Sequence, residues 1–265
     1  ILDLTDAISS EIERSLPYRD PKWRLIYRLE LPRIRRYERE MARRFDETWL
    51  ISEAERQQLM QGDTDDKVLI VPNGVDQARF YPRGRRSNEP RLIFVGHMSV
   101  FHNVDAAEYL VNEILPLIRV IVPAARLDLV GAEPAAEVKR LATTPGVRVS
   151  GHVADLNAAL NDAAVFVAPL RFAAGVQNKA LEAMAVGLPV VTTTYVNNGL
   201  GTEDGHHLLI ADEPAAFAEA VCRLLQDATL RQTLGQNGQE FVRQHYRWES
   251  VLDRLEFIEQ QRPRR

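Results

Sequence analysis

The chain of 265 residues carries 33 Lys and Arg against 37 Asp and Glu, a formal net charge of −4, and 45% of its residues are hydrophobic. Such a composition is typical of a globular protein with one large or two medium domains. The acidic balance excludes a chain that binds nucleic acid over its whole surface, because such binding relies on excess Lys and Arg. Cys222, the single cysteine, cannot form a disulfide within the chain, and no apolar run reaches the roughly 20 residues of a membrane span. We therefore expect a protein of the reducing cytoplasm with no spanning helix.

A basic segment occupies residues 19–44, where ten Lys and Arg stand against four Asp and Glu. Within it, Ile34, Tyr37 and Met41 recur at intervals of three and four residues, which predicts an amphipathic helix. Pro32 suits the first turn of that helix. The simplest interpretation is a solvated helix face, and the alternative is contact with an anionic membrane that carries a lipid-linked substrate.

The next helix start is marked by Ser52, with Glu55 three residues later in a capping-box arrangement. Gly62 can end this helix. Beyond it, Asp63 and Asp65 have a spacing that many metal-dependent sugar transferases use to hold a divalent ion. The crowded acidic loop offers no supporting pattern, so we expect no metal site there.

From about Val71 to Asp227, short apolar runs alternate with helical repeats. Strands are predicted at Leu92–Val95, Leu127–Val130, Val147–Val149, Val165–Ala168, Val190–Thr193 and Leu208–Ile210. Helices are predicted at Val104–Ile114, Ala135–Ala142, Leu156–Ala163, Lys179–Val186 and Ala215–Leu225, and the tail from Leu230 to Glu259 also has a helical pattern. Continuously apolar strands separated by helices are typical of a parallel sheet covered on both faces, so we expect an α/β, doubly wound, Rossmann-like domain.

Ligands of an open parallel sheet bind beyond the carboxyl ends of its strands, and two loops there are marked by glycine. The first loop begins with Gly96 and His97, and Asn103 is the expected N-cap of the helix that follows. Glycine allows close approach of a ligand to the backbone, and the His97 ring could donate to a phosphate. A lone histidine in a loop is, however, more often structural.

The second loop contains the richest set of polar groups in the chain. Gly175 and Asn178 lie at the start of a helix whose free amides and dipole favour an anion, and Arg171 and Lys179 bracket that start with two cations. Glu182 lies one turn further along, where a carboxylate can accept hydrogen bonds from ribose hydroxyls. These residues predict a site for a nucleoside diphosphate. The alternative is that Lys179 is a solvated charge and Glu182 only complements the helix dipole.

The same segment resembles the family-4-like, nucleotide-sugar-dependent glycosyltransferases of the GT-B fold. The residues that carry the resemblance are Glu182-Ala183-Met184-Ala185, Gly187, Pro189-Val190-Val191, the linker Val71-Pro72-Asn73-Gly74-Val75-Asp76, Phe94-Val95-Gly96 and Trp248. The pattern around Lys179, with Phe101-His102-Asn103-Val104-Asp105, is most similar to the subgroup encoded with exopolysaccharide and PEP-CTERM/exosortase loci.

This resemblance implies two facing Rossmann-like domains. Residues 1–70 would be the last part of an N-terminal acceptor-side domain and its linker, 71–228 the complete donor domain, and 229–265 helices that pack back towards the N-terminal part. It further implies transfer of a sugar from a nucleotide-diphosphate sugar to a saccharide or lipid-linked saccharide acceptor, with retention and without a metal or other cofactor. The family often has two glutamates separated by seven residues, the first of which would fall at Ala174. The acceptor-side histidine that the family usually supplies cannot be assigned to a residue of this sequence.

Departure of a nucleoside diphosphate concentrates negative charge on the pyrophosphate, so Arg171 and Lys179 are the expected catalytic cations, with Glu182 positioning the ribose. Two alternatives stay open. A sugar-nucleotide epimerase of the same architecture would need further carboxylates and histidines from both domains. A non-catalytic module would bind a nucleotide sugar without turnover, which the alanine at Ala174 favours.

Overall fold

The computed structural model describes residues 1–5, 7–60, 66–84, 89–172 and 175–260. The expected helix end at Gly62, the acidic pair Asp63 and Asp65, and Ala174 lie outside the described residues. The described chain contains two parallel β-sheets, one of three strands in the N-terminal segment and one of six strands after the linker.

The N-terminal segment builds a sheet in the order β1–β2–β3. Its elements are β1 (Leu2–Thr5), α1 (Ile8–Ser15), a short 3-10 turn (Leu16–Tyr18), α2 (Pro21–Arg44), β2 (Thr48–Leu50), α3 (Glu53–Met60) and β3 (Val68–Ile70). A small core of Ala42, Leu50, Leu59, Met60 and Val68 joins the helices to this sheet. All three strands run parallel, so each connection crosses over through a helix.

The basic helix α2 is longer than its sequence pattern predicts. It starts at Pro21, and the Asp20 side chain caps it by accepting a backbone amide at 2.9 Å. The expectation that Pro32 lies in the first turn is wrong, because Pro32 lies inside the helix. An interior proline removes one backbone hydrogen bond of the helix. Burial of Leu31 and Ala42 on the inward face stabilises the helix despite that loss.

The second sheet has the strand order β6–β5–β4–β7–β8–β9, all parallel. Its strands are β4 (Arg91–Val95), β5 (Arg126–Val130), β6 (Val147–Gly151), β7 (Val165–Ala168), β8 (Val190–Thr192) and β9 (Leu209–Ile210). Strands β7 and β8 are buried along their whole length, as expected where helices cover both faces of a sheet. The predicted α/β, doubly wound domain is confirmed.

The helices described around this sheet are α4 (Phe101–Tyr109), α5 (Leu115–Ile121), α6 (Ala136–Leu141), α7 (Leu156–Asn161), α8 (Asn178–Ala185), α9 (Thr194–Leu200), α10 (Pro214–Gln226), α11 (Ala228–His245) and α12 (Trp248–Gln260). Helices α6, α7, α8 and α10 start and end close to their predicted bounds. Helices α5 and α9 were not predicted, and the tail with a helical pattern forms two helices, α11 and α12. A π-helical stretch (Leu110–Ile114) joins α4 to α5. The helix predicted to end at Ile114 therefore continues into α5. None of the described helices is both long and apolar enough to cross a bilayer.

The strand order places a crevice between β4 and β7. From β4 the chain builds outwards through β5 and β6, and from β7 it builds the other way through β8 and β9, while β4 and β7 pair directly at Leu92 with Val165. This reversal is the topological switch point at which open α/β sheets bind ligands. The two glycine-marked loops follow β4 and β7, so the fold brings them to one crevice.

The C-terminal helices return to the linker between the two sheets. The Val75 amide donates to the Tyr246 carbonyl at 2.6 Å, and the Trp248 ring lies against Gly74, where a Cβ would come within 2.5 Å of it. Glycine at this position therefore lets α12 lie directly on the linker.

Candidate functional site

The loop after β4 is shaped by close backbone packing. A Cβ on Gly131 would lie 1.6 Å from the Gly96 carbonyl oxygen, and a Cβ on Gly96 would lie 2.8 Å from the Asn103 side chain. The expectation that Asn103 is an N-cap is wrong, because α4 already begins at Phe101. Asn103 is instead buried in the first turn, where its amide nitrogen donates to the His97 carbonyl at 3.1 Å.

The His97 ring lies at the rim of this crevice. Its Nδ1 is 3.0 Å from the Ser99 hydroxyl and its Nε2 is 3.9 Å from a Glu133 carboxylate oxygen, and the side chain is 48% exposed. Asn103 therefore binds the backbone carbonyl of His97 and not its imidazole.

Lys179 reaches from α8 across the crevice to α4. Its ammonium donates to Asn103 Oδ1 and lies 5.3 Å from the centre of the Phe94 ring at the end of β4. Burial lowers the pKa of Lys179 to about 7, against the opposite effect of the Glu182 carboxylate. Lys179 thus exchanges its proton near neutral pH, and an anion placed beside it would favour the charged form.

Glu182 follows one turn along α8 and is partly buried. Burial raises the pKa of its carboxyl to about 7, while the charges of Arg79 and Lys179 pull that pKa down. Arg79 lies in the linker after β3, where it is exposed and stacks over the Phe80 ring at 5.2 Å. Sequence reasoning missed Arg79, because nothing in the linker pattern ties it to a helix about 100 positions later.

Arg171 is not the free cation that the sequence predicts. Its Nε donates to Asp105 Oδ2 at 3.0 Å and its Nη2 donates to Asp105 Oδ1 at 2.5 Å. The guanidinium carbon lies 4.4 Å from the centre of the Tyr18 ring and 4.5 Å from that of Tyr109. A bidentate carboxylate therefore neutralises Arg171 and two aromatic rings cover it, so its main contacts hold elements together.

The amide of Gly175 is also occupied. It donates to Glu55 Oε1 at 2.9 Å, so this amide, which precedes the helix, is not available to an anion in this structure. Glu55 lies in the first turn of α3, and its other oxygen accepts from the Ala7 amide at 2.9 Å. The predicted capping box forms only in part: the Glu55 amide donates to Ser52 Oγ at 3.3 Å, while the Glu55 carboxylate points to the other two segments.

Asn178 is the first residue of α8 and is exposed. Its Oδ1 accepts from the Asn73 side chain of the linker at 3.3 Å. Gln177 at the N-cap makes no side-chain capping bond to this helix. The first-turn amides of α8 are therefore not capped by that side chain, and the electrostatics of a helix N-terminus favour an anion there.

Residues of the N-terminal segment lie against both crevice loops. Tyr18 stacks on Phe172 at 4.9 Å between ring centres, and the Arg19 guanidinium lies 3.9 Å from the centre of the Phe101 ring. Glu11 of α1 lies 3.6 Å from His102 Nδ1, and this histidine lowers the pKa of the Glu11 carboxyl. The crevice is thus bordered on one side by α1 and the turn that follows it.

Across the part of the chain that the structure describes, no group of three or more His, Cys, Asp or Glu side chains is placed to hold a metal ion. The polar groups that the structure does bring together at the crevice are Lys179, Glu182, Asn103 and the start of α8.

Comparison with known proteins gives a match to the model for group 1 glycosyl transferases over residues 89–227, more than half of the chain. The chain is 30% identical over 118 residues to the capsular polysaccharide biosynthesis glycosyltransferase CapM of Staphylococcus aureus, covering 44% of this chain and 31% of CapM. It spans less than half the length of the curated relatives it matches.

Two solved structures share the architecture. S. aureus TarM, determined with fondaparinux, alpha-GlcNAc-glycerol and UDP, superposes with a TM-score of 0.71 at 18% identity, over 85% of this chain and 46% of TarM. Anabaena HepE in complex with UDP superposes with a TM-score of 0.70 at 16% identity, over 97% of this chain and 71% of HepE. At such identities the likeness shows the fold alone, which is the predicted GT-B type.

Proposed function

Because the chain belongs to the group 1 glycosyl transferases, we propose that it transfers a sugar from a nucleoside-diphosphate sugar to a hydroxyl acceptor. The observation that carries this proposal is the placement of Lys179 and Glu182 on α8, at the crevice between the loops after β4 and β7. UDP occurs in the TarM and HepE complexes, so a UDP-sugar is the first donor to test.

In this proposal the diphosphate binds at the first turn of α8. The amides of that turn and the helix dipole attract the anion, and Lys179 becomes protonated beside it. Bond cleavage between the sugar and the diphosphate leaves additional negative charge on the phosphate, which this fixed positive environment stabilises. Arg171 contributes less, because Asp105 neutralises it, and it serves mainly to hold the loop after β7.

Glu182 binds the ribose in this proposal. Its carboxylate lies one turn beyond the phosphate site and accepts hydrogen bonds from two vicinal hydroxyls. The carboxylate must be ionised to accept both, so ribose binding draws a proton off a group whose pKa is about 7. Gly96 and the His97 carbonyl border the same crevice.

We propose that transfer proceeds with retention and without a metal, as the family resemblance implies. The leaving phosphate oxygen would then take the proton of the acceptor hydroxyl. CapM is named for capsular polysaccharide biosynthesis, which supports a role in exopolysaccharide or glycoconjugate synthesis. We further propose that the protein acts in the cytoplasm, the compartment expected from its single cysteine.

The outward face of α2 suits contact with an anionic membrane that carries a lipid-linked acceptor. Leu25 and Leu29 lie four residues apart on this face and are 62% and 66% exposed, and Lys22 and Arg28 are exposed beside them. Exposed apolar side chains flanked by cations are typical of helices that lie in the headgroup region. We therefore propose peripheral binding to the inner face of the membrane.

Liposome sedimentation tests this surface. The variant Leu25→Ser/Leu29→Ser is expected to lose binding to vesicles with anionic lipid, whereas Val120→Ser/Ile121→Ser keeps it, because the latter pair is exposed on α5 of the donor domain. Sedimentation of the wild type that does not depend on anionic lipid would reject the proposed contact.

Calorimetric titration with UDP and GDP tests the donor site. We expect the wild type to bind one of them, and both Lys179→Met and Glu182→Gln to bind it at least about tenfold more weakly, a loss typical of one charge-assisted hydrogen bond. Lys139→Met, which changes an exposed lysine on α6, should bind as the wild type does. Wild-type affinity in both site variants would reject these roles.

The second candidate function is a module that binds a nucleotide sugar without turnover. The ion pair of Arg171 with Asp105 and the occupied Gly175 amide favour it, because both remove groups that a leaving diphosphate could use. Incubation of the chain with UDP-GlcNAc and analysis of the products separates the two functions. Transfer or hydrolysis of the sugar would exclude a pure binding module.

A further inference from the structure

Glu55 is a fully buried carboxylate that joins three separate parts of the chain. It lies in the first turn of α3, and its two oxygens accept from the Ala7 amide before α1 and from the Gly175 amide before α8. The contact with Gly175 spans 120 positions of sequence and links the N-terminal segment to the donor domain. A buried carboxyl group is costly unless hydrogen bonds satisfy it, and these two bonds help to do so.

The side chain of Glu55 reaches beyond its own helix. A capping-box glutamate usually reaches back to the N-cap amide, whereas this carboxylate turns to Ala7 and Gly175 although the other half of the box, with Ser52, is present. Helix stability alone therefore does not account for its orientation.

Gly175 sets the entry of the chain into α8. Its φ of +61° is the left-handed conformation that favours glycine, and its carbonyl packs against Gly199, where a Cβ would lie 2.3 Å from that oxygen. This packing holds the Gly175 carbonyl, and Glu55 holds the Gly175 amide. The backbone is therefore fixed on both sides of the Gly175 Cα. Asn178, Lys179 and the rest of α8 start three residues later.

We propose that Glu55 is a positioning residue for nucleoside-diphosphate binding: its contact with Gly175 fixes the start of α8, so that the first-turn amides and Lys179 face the diphosphate. This inference rests on the proposed function. A preorganised site binds more tightly because the ordering of the loop precedes ligand binding.

Glu38 provides a matched control. It is also a buried glutamate of the N-terminal segment, 5% exposed, and it also accepts a backbone amide near the start of α1, from Ser9 at 3.0 Å. Its second oxygen accepts from the Ser9 hydroxyl. These bonds stay within the N-terminal segment, so Glu38→Gln disturbs a comparable buried carboxylate without changing the contact with Gly175.

The experiment compares Glu55→Gln, Glu38→Gln and the wild-type chain in calorimetric titrations with UDP and GDP, at a temperature at which circular dichroism shows all three folded. A glutamine at position 55 must turn its NH2 group towards one of two backbone amides, so one of them loses its acceptor. We expect both variants to melt at lower temperature, and only Glu55→Gln to bind the nucleotide more weakly, by about tenfold. Hydrogen exchange in the peptide that contains Gly175 should also become faster in Glu55→Gln alone.

Several outcomes would overturn the assignment. Glu55→Gln affinity equal to that of Glu38→Gln would make Glu55 a purely structural residue, and tighter binding would mean that its carboxylate competes with the diphosphate for the Gly175 amide. If Glu55→Gln does not fold, Glu55→Asp, whose carboxylate is one methylene shorter, takes its place with the same expected direction. Failure of the wild type to bind either nucleotide would instead reject the proposed function.

Discussion

Lys179 and Glu182 are the two side chains whose chemistry the crevice changes most. Burial shifts the pKa of both groups to about 7, from opposite directions, because it disfavours a charge on either side chain. Neither shift follows from sequence, since the spacing of three residues places them on one helix face but does not indicate how deeply α8 lies in the crevice. The placement of Lys179 and Glu182 on one helix face was therefore predictable, whereas their protonation was not.

Binding of UDP should be coupled to proton exchange. Above pH 7 the Lys179 side chain of the unliganded protein is mostly a neutral amine. A bound diphosphate favours the protonated form, so binding takes up a proton at pH 8. Below pH 7 the Glu182 carboxyl must lose its proton to accept the ribose, so binding at pH 6 releases one. Calorimetry in buffers of different ionisation enthalpy measures both effects. Proton uptake at pH 8 should vanish in Lys179→Met, and proton release at pH 6 should vanish in Glu182→Gln. If proton exchange is unchanged in these variants, Lys179 and Glu182 do not contact the nucleotide as proposed.

Lys179 should also lower the stability of the free protein. Its pKa in the folded state lies below that of the unfolded chain, so the unfolded state binds more protons between about pH 7 and 10.5 and stability rises with pH across that window. Lys179→Met should therefore raise the free energy of unfolding at pH 6 by about 1 kcal/mol, an amount typical of relieving a partly buried charge. The gain should shrink towards pH 10. Urea unfolding at both pH values measures this, with Lys139→Met as the exposed control.

At the scale of elements, the strands were predictable and the contacts between helices were not. The apolar runs fix β4 to β9 because strands buried on both faces have almost no polar positions. Helix α2 differs in that Pro32 was expected at its start, and the packing of its inner face overrides the local preference of proline. The pair of Asp105 on α4 with Arg171 after β7 joins residues 66 positions apart, and no local pattern encodes such a pair.

Removal of Arg171 should affect stability more than nucleotide binding. Arg171→Met leaves Asp105, 11% exposed, without its partner, and because Arg171 itself is 30% exposed we expect a loss of about 2 kcal/mol in the free energy of unfolding. Arg171→Met/Asp105→Leu should recover most of that loss, because no unpaired charge remains. Urea unfolding measures the stability, and UDP titration should show a smaller effect than Lys179→Met. An Arg171→Met variant of normal stability that no longer binds UDP would restore Arg171 as a phosphate ligand.

At the scale of the whole molecule, a three-stranded sheet and a doubly wound domain with a six-stranded sheet meet across one crevice. Contacts from the N-terminal segment border that crevice, among them Glu55 with Gly175, Glu11 with His102, and Tyr18 with Phe172. The family resemblance predicts that two such units face each other, but the residues that meet could be named only from the structure. Long-range pairs depend on how the two units dock, which composition and periodicity do not contain.

A crystal structure of the chain with UDP would show whether the start of α8, with Lys179 and Glu182, binds a nucleoside diphosphate at the switch point of the second sheet. We predict a phosphate oxygen within hydrogen-bond distance of the Lys179 ammonium and of a first-turn amide of α8, and both ribose hydroxyls on the Glu182 carboxylate. UDP bound elsewhere, with Lys179 still donating to Asn103 and Glu182 facing no ligand, would rule out this donor site.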